Sequence, residues 1–394
     1  MSLRVICTVI FLLTFAQPSW AQAVPTRDPV KARAMSEVSS LASAWNALAA
    51  GNYADALRTA GEVLKREPWN HAALIVRIRA LTEGEGPLRG LDAYEAWLKD
   101  SRVPREEDVY LLEPVAVDVL RLIARDKDPG LRVIALTRLA RAGIGGARAE
   151  LAALNDGGAT VDAALTSLGD ETAAARIRHA AEGPGNRRGL VPALEQGGSA
   201  SVPILITLLN DKDESTSSAA ASALGRLRAY EAVGSLRKSL AADYPFVRHT
   251  AAVALARLND PAGQAEVARM LAMDVPDIQL MAATAWDGQP GPWVEAVRSL
   301  LDNQEGLVRL EAARLIAPID PAAARRVLQE ALSNENPVVR SESAKVVEEL
   351  IWAGTLTATI ADLRGRLRDP EPSVRLPAAT ALLRLIRGHQ EAAK

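Results

Sequence analysis

The sequence has few of the residues on which small catalytic and redox sites depend. Its 394 residues include one cysteine, Cys7, and four histidines. Cys7 lies inside the apolar N-terminal segment, so a chain that loses this segment on export keeps no thiol. Disulfides, thiolate metal sites and cysteine nucleophiles are then excluded, and stability in an oxidising compartment must come from packing alone.

Aromatic residues and net charge are also low. Seven Trp, five Tyr and three Phe make up 4% of the chain, whereas β-sandwiches and barrels depend on aromatic and β-branched residues. Lys and Arg (46) nearly balance Asp and Glu (48), which gives a net charge of -2; a nucleic-acid-binding protein normally shows a basic stripe. The chain is 48% hydrophobic and rich in helix-forming Ala, Leu, Arg and Glu. We therefore predict an all-α fold and no nucleic-acid partner.

The N-terminus has the three parts of a secretory signal peptide. Arg4 precedes the apolar run 5–16, Pro18 ends that run, and Ala21-Gln22-Ala23 forms a small-x-small cleavage site. A run of about 12 residues is too short to span a membrane, which takes roughly 20. We predict that residues 1–23 are removed by cleavage after Ala23. The mature chain is then expected to be secreted, with a periplasmic location, and to have no integral membrane association.

Residues 24–107 form the first region of helical repeats. Gly51, Tyr53, Ala56 and Ala60 lead to Pro68 in a pattern that resembles the tetratricopeptide repeat: a glycine turn, an aromatic residue, small residues where helices touch and a closing proline. A shift of 34 residues places Gly90 at the position of Ala56. The resemblance implies helical hairpins in this region.

A different repeat occupies residues 108–394. In each copy a short turn leads to an apolar residue, an arginine or glutamine and an Ala-rich helix, and in five of six copies a proline stands three residues before the polar residue. These positions are held by Arg132, Arg248, Gln279, Arg309, Arg340 and Arg375. Proline suits the first turn of a helix because its missing N–H would have no partner there. A stack of helix pairs is expected, since one short pair cannot bury its apolar face alone.

The recurring arginines Arg132, Arg248, Arg309, Arg340 and Arg375 require an explanation. A cation in the first turn opposes the helix macrodipole by about 0.3–1 kcal/mol. We predict a structural ladder in which each guanidinium donates to an Asp side chain or a loop carbonyl of its own or an adjacent repeat. The alternative is a row of charges that binds a ligand.

This second region resembles HEAT repeats, in particular the short type of phycobilisome-lyase-like proteins. The Asp-then-Arg pairing of that family matches Asp126 with Arg132 and Asp369 with Arg375. Between residues 143 and 213 the pattern is degraded, and Asp162 stands where arginine is expected. The resemblance implies an α-solenoid, that is, a superhelical array of antiparallel helix pairs, that serves as a scaffold for proteins or, in one branch, belongs to a lyase.

No motif in the sequence indicates catalysis. The HEAT-repeat enzyme deoxyhypusine hydroxylase binds iron through His-Glu pairs, and none of the four histidines here is followed by Glu. We expect no cofactor and no metal. We therefore predict a non-catalytic scaffold that binds a protein or peptide partner, with a lyase-like or oxidoreductase-associated HEAT enzyme or enzyme subunit as the alternative. The weak candidates for partner contacts, whose Trp members are either core or exposed anchors, are Asn46, Trp69, Arg77, Trp286, Trp293 and Trp352.

Overall fold

The computed structural model describes residues 41–99, 109–154, 158–183, 185, 187–355 and 360–392. The predicted signal peptide, its cleavage site and the predicted domain boundary at 107/108 lie outside these residues. The chain divides into two compact units, Met1–Val76 and Arg77–Lys394, and the division falls inside a helix. Every regular element of the described residues is helical. The prediction of an all-α fold is confirmed.

The first unit contains helical hairpin elements. They are α1 (41–49), α2 (Tyr53–Arg66) and the first part of α3 (His71–Glu85). Asn52 caps α2, because its side chain accepts a hydrogen bond from the backbone N–H of Asp55 at 3.3 Å. The small residues Ala56 and Ala60 are fully buried, as the spacing of the repeat requires.

The second unit is a series of short helices joined by tight turns. After the rest of α3, they are α4 (Pro87–Leu98), α5 (Glu113–Ile123), α6 (Pro129–Arg141), α7 (Ala147–Ala153), α8 (Ala159–Thr166), α9 (Glu171–Glu182), α10 (Val191–Gln196), α11 (Val202–Leu208), α12 (Glu214–Arg226), α13 (Val233–Ser239), α14 (Pro245–Arg257), α15 (Pro261–Leu271), α16 (Pro276–Ala283), α17 (Trp293–Ser299), α18 (Gly306–Ile316), α19 (Pro321–Leu332), α20 (Pro337–Trp352), α21 (Ile360–Arg366) and α22 (Pro372–Ala392).

Within this unit, nine helices form a continuous inner layer. Each one contacts the next, and the last contacts the first again. In order they are α6, α8, α10, α12, α14, α16, α18, α20 and α22. The C-terminal helix α22 also packs along α5. The array of the second unit therefore closes on itself, which nearest-neighbour repeats do not predict.

Small residues set the close approach between neighbouring inner helices. Gly225 of α12 faces Ala254 of α14, and a Cβ on Gly225 would lie 2.7 Å from the Cα of Ala254. Gly90 on α4 is similar, because a Cβ there would collide with the side chain of Thr82 and come within 3.2 Å of the carbonyl oxygen of Ile78. A residue larger than glycine at position 90 would therefore require the Thr82 side chain to move.

The closure between α5 and α22 is mostly apolar. Val115, Val119 and Ile123 of α5 are buried. On α22, side chains are buried almost all round the helix, from Val374 to Ile386, because α5, α20 and α21 all pack against it. A helix that is packed against neighbours on several sides is expected to be apolar all round.

Candidate functional site: the inner surface of the second unit

The inner helices of the second unit enclose a cavity of about 720 Å³. Its lining comes from five successive inner helices, α12 to α20, and from the turns that follow them. Side chains from five stacked helices can meet around one cavity only on the concave side of the stack. Val253, Met281 and Leu315 provide apolar wall, and charged groups lie beside them.

Three guanidinium groups lie close together beside this cavity, and two of them, those of Arg226 and Arg257, belong to its lining. Arg226 forms a two-point contact with Glu195 of α10, at 2.5 and 2.6 Å. Asp287 bridges Arg228, at 2.8 Å, and Arg257, at 3.0 Å. Burial lowers the pKa of Arg257, Asp287 opposes this shift, and Arg226 and Arg228 add to it by repulsion. Three cations thus share two carboxylates.

The backbone at Arg228 is part of this arrangement. Its φ of 55° lies in the left-handed region, which costs a non-glycine residue roughly 1 kcal/mol or more. The conformation directs the guanidinium to the last carbonyl of α14, and Nη1 donates to the oxygen of Arg257 at 2.9 Å. Nη2 donates to Asp287. Two charge-assisted hydrogen bonds offset the backbone strain.

A partly buried ion pair links the first inner helix to the last but one, across the closure of the array. Arg138 on α6 lies 2.9 Å from Glu348 on α20, and only 6% of the Glu348 side chain is exposed. Burial raises the pKa of Glu348 to about 7, although Arg138 and Arg141 both oppose the shift. Charge at this junction therefore changes near neutral pH.

Four of the predicted ladder arginines clamp the loop that precedes them. In each, Nη1 donates to the carbonyl oxygens six and five residues earlier, at 2.6–3.0 Å. They are Arg248, Arg309, Arg340 and Arg375. In three of these loops the residue six positions before the arginine also accepts a hydrogen bond through its side chain, from the backbone N–H two residues further along the chain. These residues are Asn303, Asn334 and Asp369. The Asp-then-Arg pairing thus acts through the backbone carbonyl of the first residue.

Two members of the series differ from this pattern. Arg340 also donates to Asp369 of the next repeat, at 2.8 and 3.2 Å. Arg132 makes none of these carbonyl contacts within the described residues, and its buried Nε has no hydrogen-bond partner there. Bracing between adjacent repeats is therefore seen at Arg340 alone among the five. Where the sequence has Asp162 in place of arginine, the charges are exchanged, because Arg176 donates to its carboxylate at 2.6–3.0 Å.

Sequence reasoning missed a second system of arginines on the outer helices. Arg237 and Arg298 each contact the aspartate that caps the next outer helix, Asp260 and Asp320, at 2.6 Å. These contacts and the backbone N–H groups that donate to the same carboxylates together hold the pKa values of Asp260 and Asp320 below their ordinary range. An Asp-Pro dipeptide 22 or 23 residues after an arginine is the sequence signal that could have found it.

The candidate tryptophans have different environments. Trp293 is fully buried, and its Nε1 donates to the carbonyl of Gln289 at 2.9 Å, so it fills the core and presents no surface to a partner. Trp286 is half-buried against the cluster of α14, α15 and α16, and Gly291 approaches its ring. Trp352 is 36% exposed, with the guanidinium of Arg384 4.8 Å from its ring centroid.

The other candidates are exposed but not grouped by the structure. Asn46 and Trp69 lie on the surface of the first unit, where Trp69 is 57% exposed, and Arg77 is exposed at the start of the second unit. In the part of the chain that the structure describes, no three His, Cys, Asp or Glu side chains are placed to hold a metal ion. No described helix has the length and apolarity that a membrane crossing demands.

Stacked helix pairs with a concave inner layer define an α-solenoid repeat protein. The chain belongs to the HEAT-repeat family, whose model matches residues 174–256, 202–285 and 294–393. The predicted HEAT repeats are thereby confirmed, including part of the stretch between 143 and 213 where the pattern is weak.

Similar solved structures include two natural proteins and one engineered protein. Human deoxyhypusine hydroxylase in complex with glycerol is 20% identical over 71% of this chain and 98% of that chain, with a TM-score of 0.31. The CpcE–CpcF complex of phycocyanin lyase from Nostoc is 17% identical, covering 72% and 98%, with a TM-score of 0.37. The engineered protein is 18% identical, covering 76% and 97%, with a TM-score of 0.16. No curated protein matches the chain.

Proposed function

We propose that this protein is a non-catalytic scaffold, exported to the periplasm or cell exterior, that holds a protein or peptide partner in its inner cavity. The observation that carries the proposal is the convergence of five successive helices on one concave cavity. A stack of repeats presents this kind of surface to extended ligands. The signal-peptide pattern at residues 1–23 supports the proposed location.

The composition of the cavity wall suits a polypeptide. Met281, Leu315 and Val253 offer adaptable apolar contact, and Arg226, whose side chain is 48% exposed, offers a planar hydrogen-bond donor. Methionine and arginine are enriched at protein interfaces for these reasons. An extended peptide supplies both backbone carbonyls for this guanidinium and side chains for the apolar wall.

The proposal can be tested by site-specific photo-crosslinking in periplasmic extract. A benzophenone amino acid replaces Met281 or Leu315, which line the cavity, and replaces Leu122, which is 55% exposed on α5 outside the cavity lining, as the matched control. We expect a discrete crosslinked polypeptide from positions 281 and 315 and none from 122. Equal adducts from all three positions, or none from the cavity, would contradict the proposal.

The non-catalytic part of the proposal has a separate test. The purified mature protein is analysed for metal content and for visible absorption. We expect neither a stoichiometric metal nor an absorption band. Either result would favour the lyase-like or oxidoreductase-associated alternative over the scaffold.

A further inference from the structure

Exposed apolar side chains are concentrated at the N-terminal ends of four consecutive inner helices of the second unit. Twelve large apolar side chains of the described residues are exposed, and five of them stand at the start of α14, α16, α18 and α20, either as the residue before the helix or as its second residue. They are Tyr244 (52%), Phe246 (48%), Val275 (43%), Leu307 (52%) and Val338 (55%). We call this set the apolar edge.

The apolar edge follows the repeat. Phe246, Leu307 and Val338 each stand two residues before a clamp arginine, at the second position of an inner helix. Successive inner helices are in contact, so the N-terminal ends of α14 to α20 lie side by side. Neighbouring helices pack roughly 8–10 Å apart, and the apolar side chains therefore form a row with a similar step.

Three of the four loops that lead into these helices are tied by arginine clamps. Arg248, Arg309 and Arg340 each tie two carbonyl groups of their own loop, at 2.6–3.0 Å. A surface whose side chains are fixed before binding loses less conformational entropy when a partner docks. The clamps thus give the apolar edge a defined shape.

Negative charge surrounds the row. Six exposed carboxylates lie in these loops and in the loop before α22, and among the described residues none of them forms an ion pair. They are Asp243, Asp274, Asp277, Glu305, Glu335 and Glu371. The nearby cations are already engaged. The clamp arginines donate to backbone carbonyls, and Arg368, in the loop before α22, pairs with Asp92 and Glu95 at 2.7 and 2.9 Å. A partner that carries positive charge beside apolar side chains is complementary to this edge.

We infer that the apolar edge is a second docking surface, which adjoins the inner cavity at Phe246, for a cationic amphipathic helix of a protein partner. The step of the row selects a helix as the bound form. Two turns of α-helix, seven residues, advance about 10.5 Å at 1.5 Å per residue, which matches the spacing of adjacent inner helices. Leucine-type side chains seven residues apart then meet Phe246, Val275, Leu307 and Val338 in turn, one at the start of each of α14, α16, α18 and α20, and lysines between them face the carboxylates.

The test uses a synthetic helix as the probe. A labelled 22-residue peptide of Leu and Lys, with its leucines on one helical face, is titrated with the full mature protein and followed by fluorescence anisotropy. A peptide with Glu in place of Lys is the charge control. We expect the Leu/Lys peptide to bind, with affinity that falls as salt is raised from about 0.05 to 0.5 M, and the Leu/Glu peptide to bind at least about tenfold more weakly.

Variants locate the binding. The double variant Leu307→Ser, Val338→Ser should bind the Leu/Lys peptide about tenfold or more weakly. The double variant Glu305→Gln, Glu335→Gln should bind it several-fold more weakly, and only at low salt. The matched control is Tyr230→Ser with Glu231→Gln, in the loop after α12 at the opposite ends of the inner helices, and it should leave affinity unchanged.

Several results would overturn the inference. Undiminished binding to the Leu307 and Val338 variant, or equal binding of the Leu/Glu peptide, would show that the apolar edge is not the site. If a Met281→Ser variant lost peptide binding while the edge variants kept it, the peptide would bind in the inner cavity instead. That outcome would leave the proposed function intact, so the two can fail separately. Thermal melting of each variant confirms that the fold is retained.

Discussion

Replacing Arg340 or Arg309 with alanine compares two arginines that differ in one interaction. Both donate Nη1 to two loop carbonyls, at 2.6–3.0 Å. Arg340 in addition donates to the carboxylate of Asp369, whose side chain is 5% exposed. The variants therefore separate the loop clamp from the contact between repeats.

The expected losses follow from these contacts. Removing the clamp leaves two carbonyls without their donor and should cost about 1–3 kcal/mol in either variant. Arg340→Ala also leaves Asp369 buried without its cation, and the total loss for a broken buried pair is typically about 3–5 kcal/mol. The midpoints of the two ranges differ by about 2 kcal/mol, and we therefore expect Arg340→Ala to lower the free energy of unfolding by about 2 kcal/mol more than Arg309→Ala.

Urea denaturation followed by circular dichroism, at about pH 7 and again at about pH 3, below the ordinary Asp pKa of 3.8, measures the difference. Burial alone would raise the pKa of Asp369, but Arg340 and the N–H of Glu371 hold it below its ordinary range. Its contribution is present at neutral pH and is lost as pH falls through that lowered pKa. Asp369→Asn in the Arg340→Ala background should recover much of the excess loss at pH 7.

Equal losses for the two alanine variants would refute the separate role of Asp369. Unchanged or raised melting temperatures for both would refute the structural interpretation of the row altogether. Relief of the macrodipole conflict would then dominate, and the arginines would be available to a ligand.

Three further predictions concern export, the junction and the array. N-terminal sequencing of the exported protein should begin at Val24. Glu348 has a pKa of about 7 when folded, above its ordinary 4.5, so its stabilising contribution is complete below pH 4.5 and is lost as pH rises through 7, by about 3 kcal/mol. Glu348→Gln should remove this pH dependence and Glu349→Gln should keep it, as urea titrations at pH 5 and 8 would show. Truncation after Ala317 should leave a helical remainder but lower hydrogen-exchange protection in α5, because α22 is lost; unchanged protection there would contradict the closure.

The local features of the fold could be predicted from the sequence. The prolines at 245, 276, 337 and 372 each stand in the first turn of an inner helix, as their spacing indicated. The sequence predicts loop carbonyls among the partners of the arginines, because a cation in the first turn opposes the helix macrodipole and needs acceptors that offset this cost. Periodicity reports such features well, since their causes lie within one repeat.

The closure and the charged wall of the cavity could not be predicted in this way. Arg138 and Glu348 are 210 residues apart, and neither stands at a repeated position that signals a partner. Arg228 depends on a left-handed backbone, which its sequence context does not indicate because arginine rarely adopts it. The contact between Arg138 and Glu348 arises from closure of the whole array, which a single repeat does not encode.

Closure of the nine inner helices fixes how many repeats the second unit can have. A full circle divided among nine positions allows each repeat roughly 40° of turn, and an open solenoid has no such condition. Adding or deleting one repeat would leave α22 displaced from α5 by a whole helix width or force every remaining interface to change its angle. Repeat arrays ordinarily change length by duplication of repeats. This array cannot do so without losing its closure, and its changes in length are therefore confined to the loops.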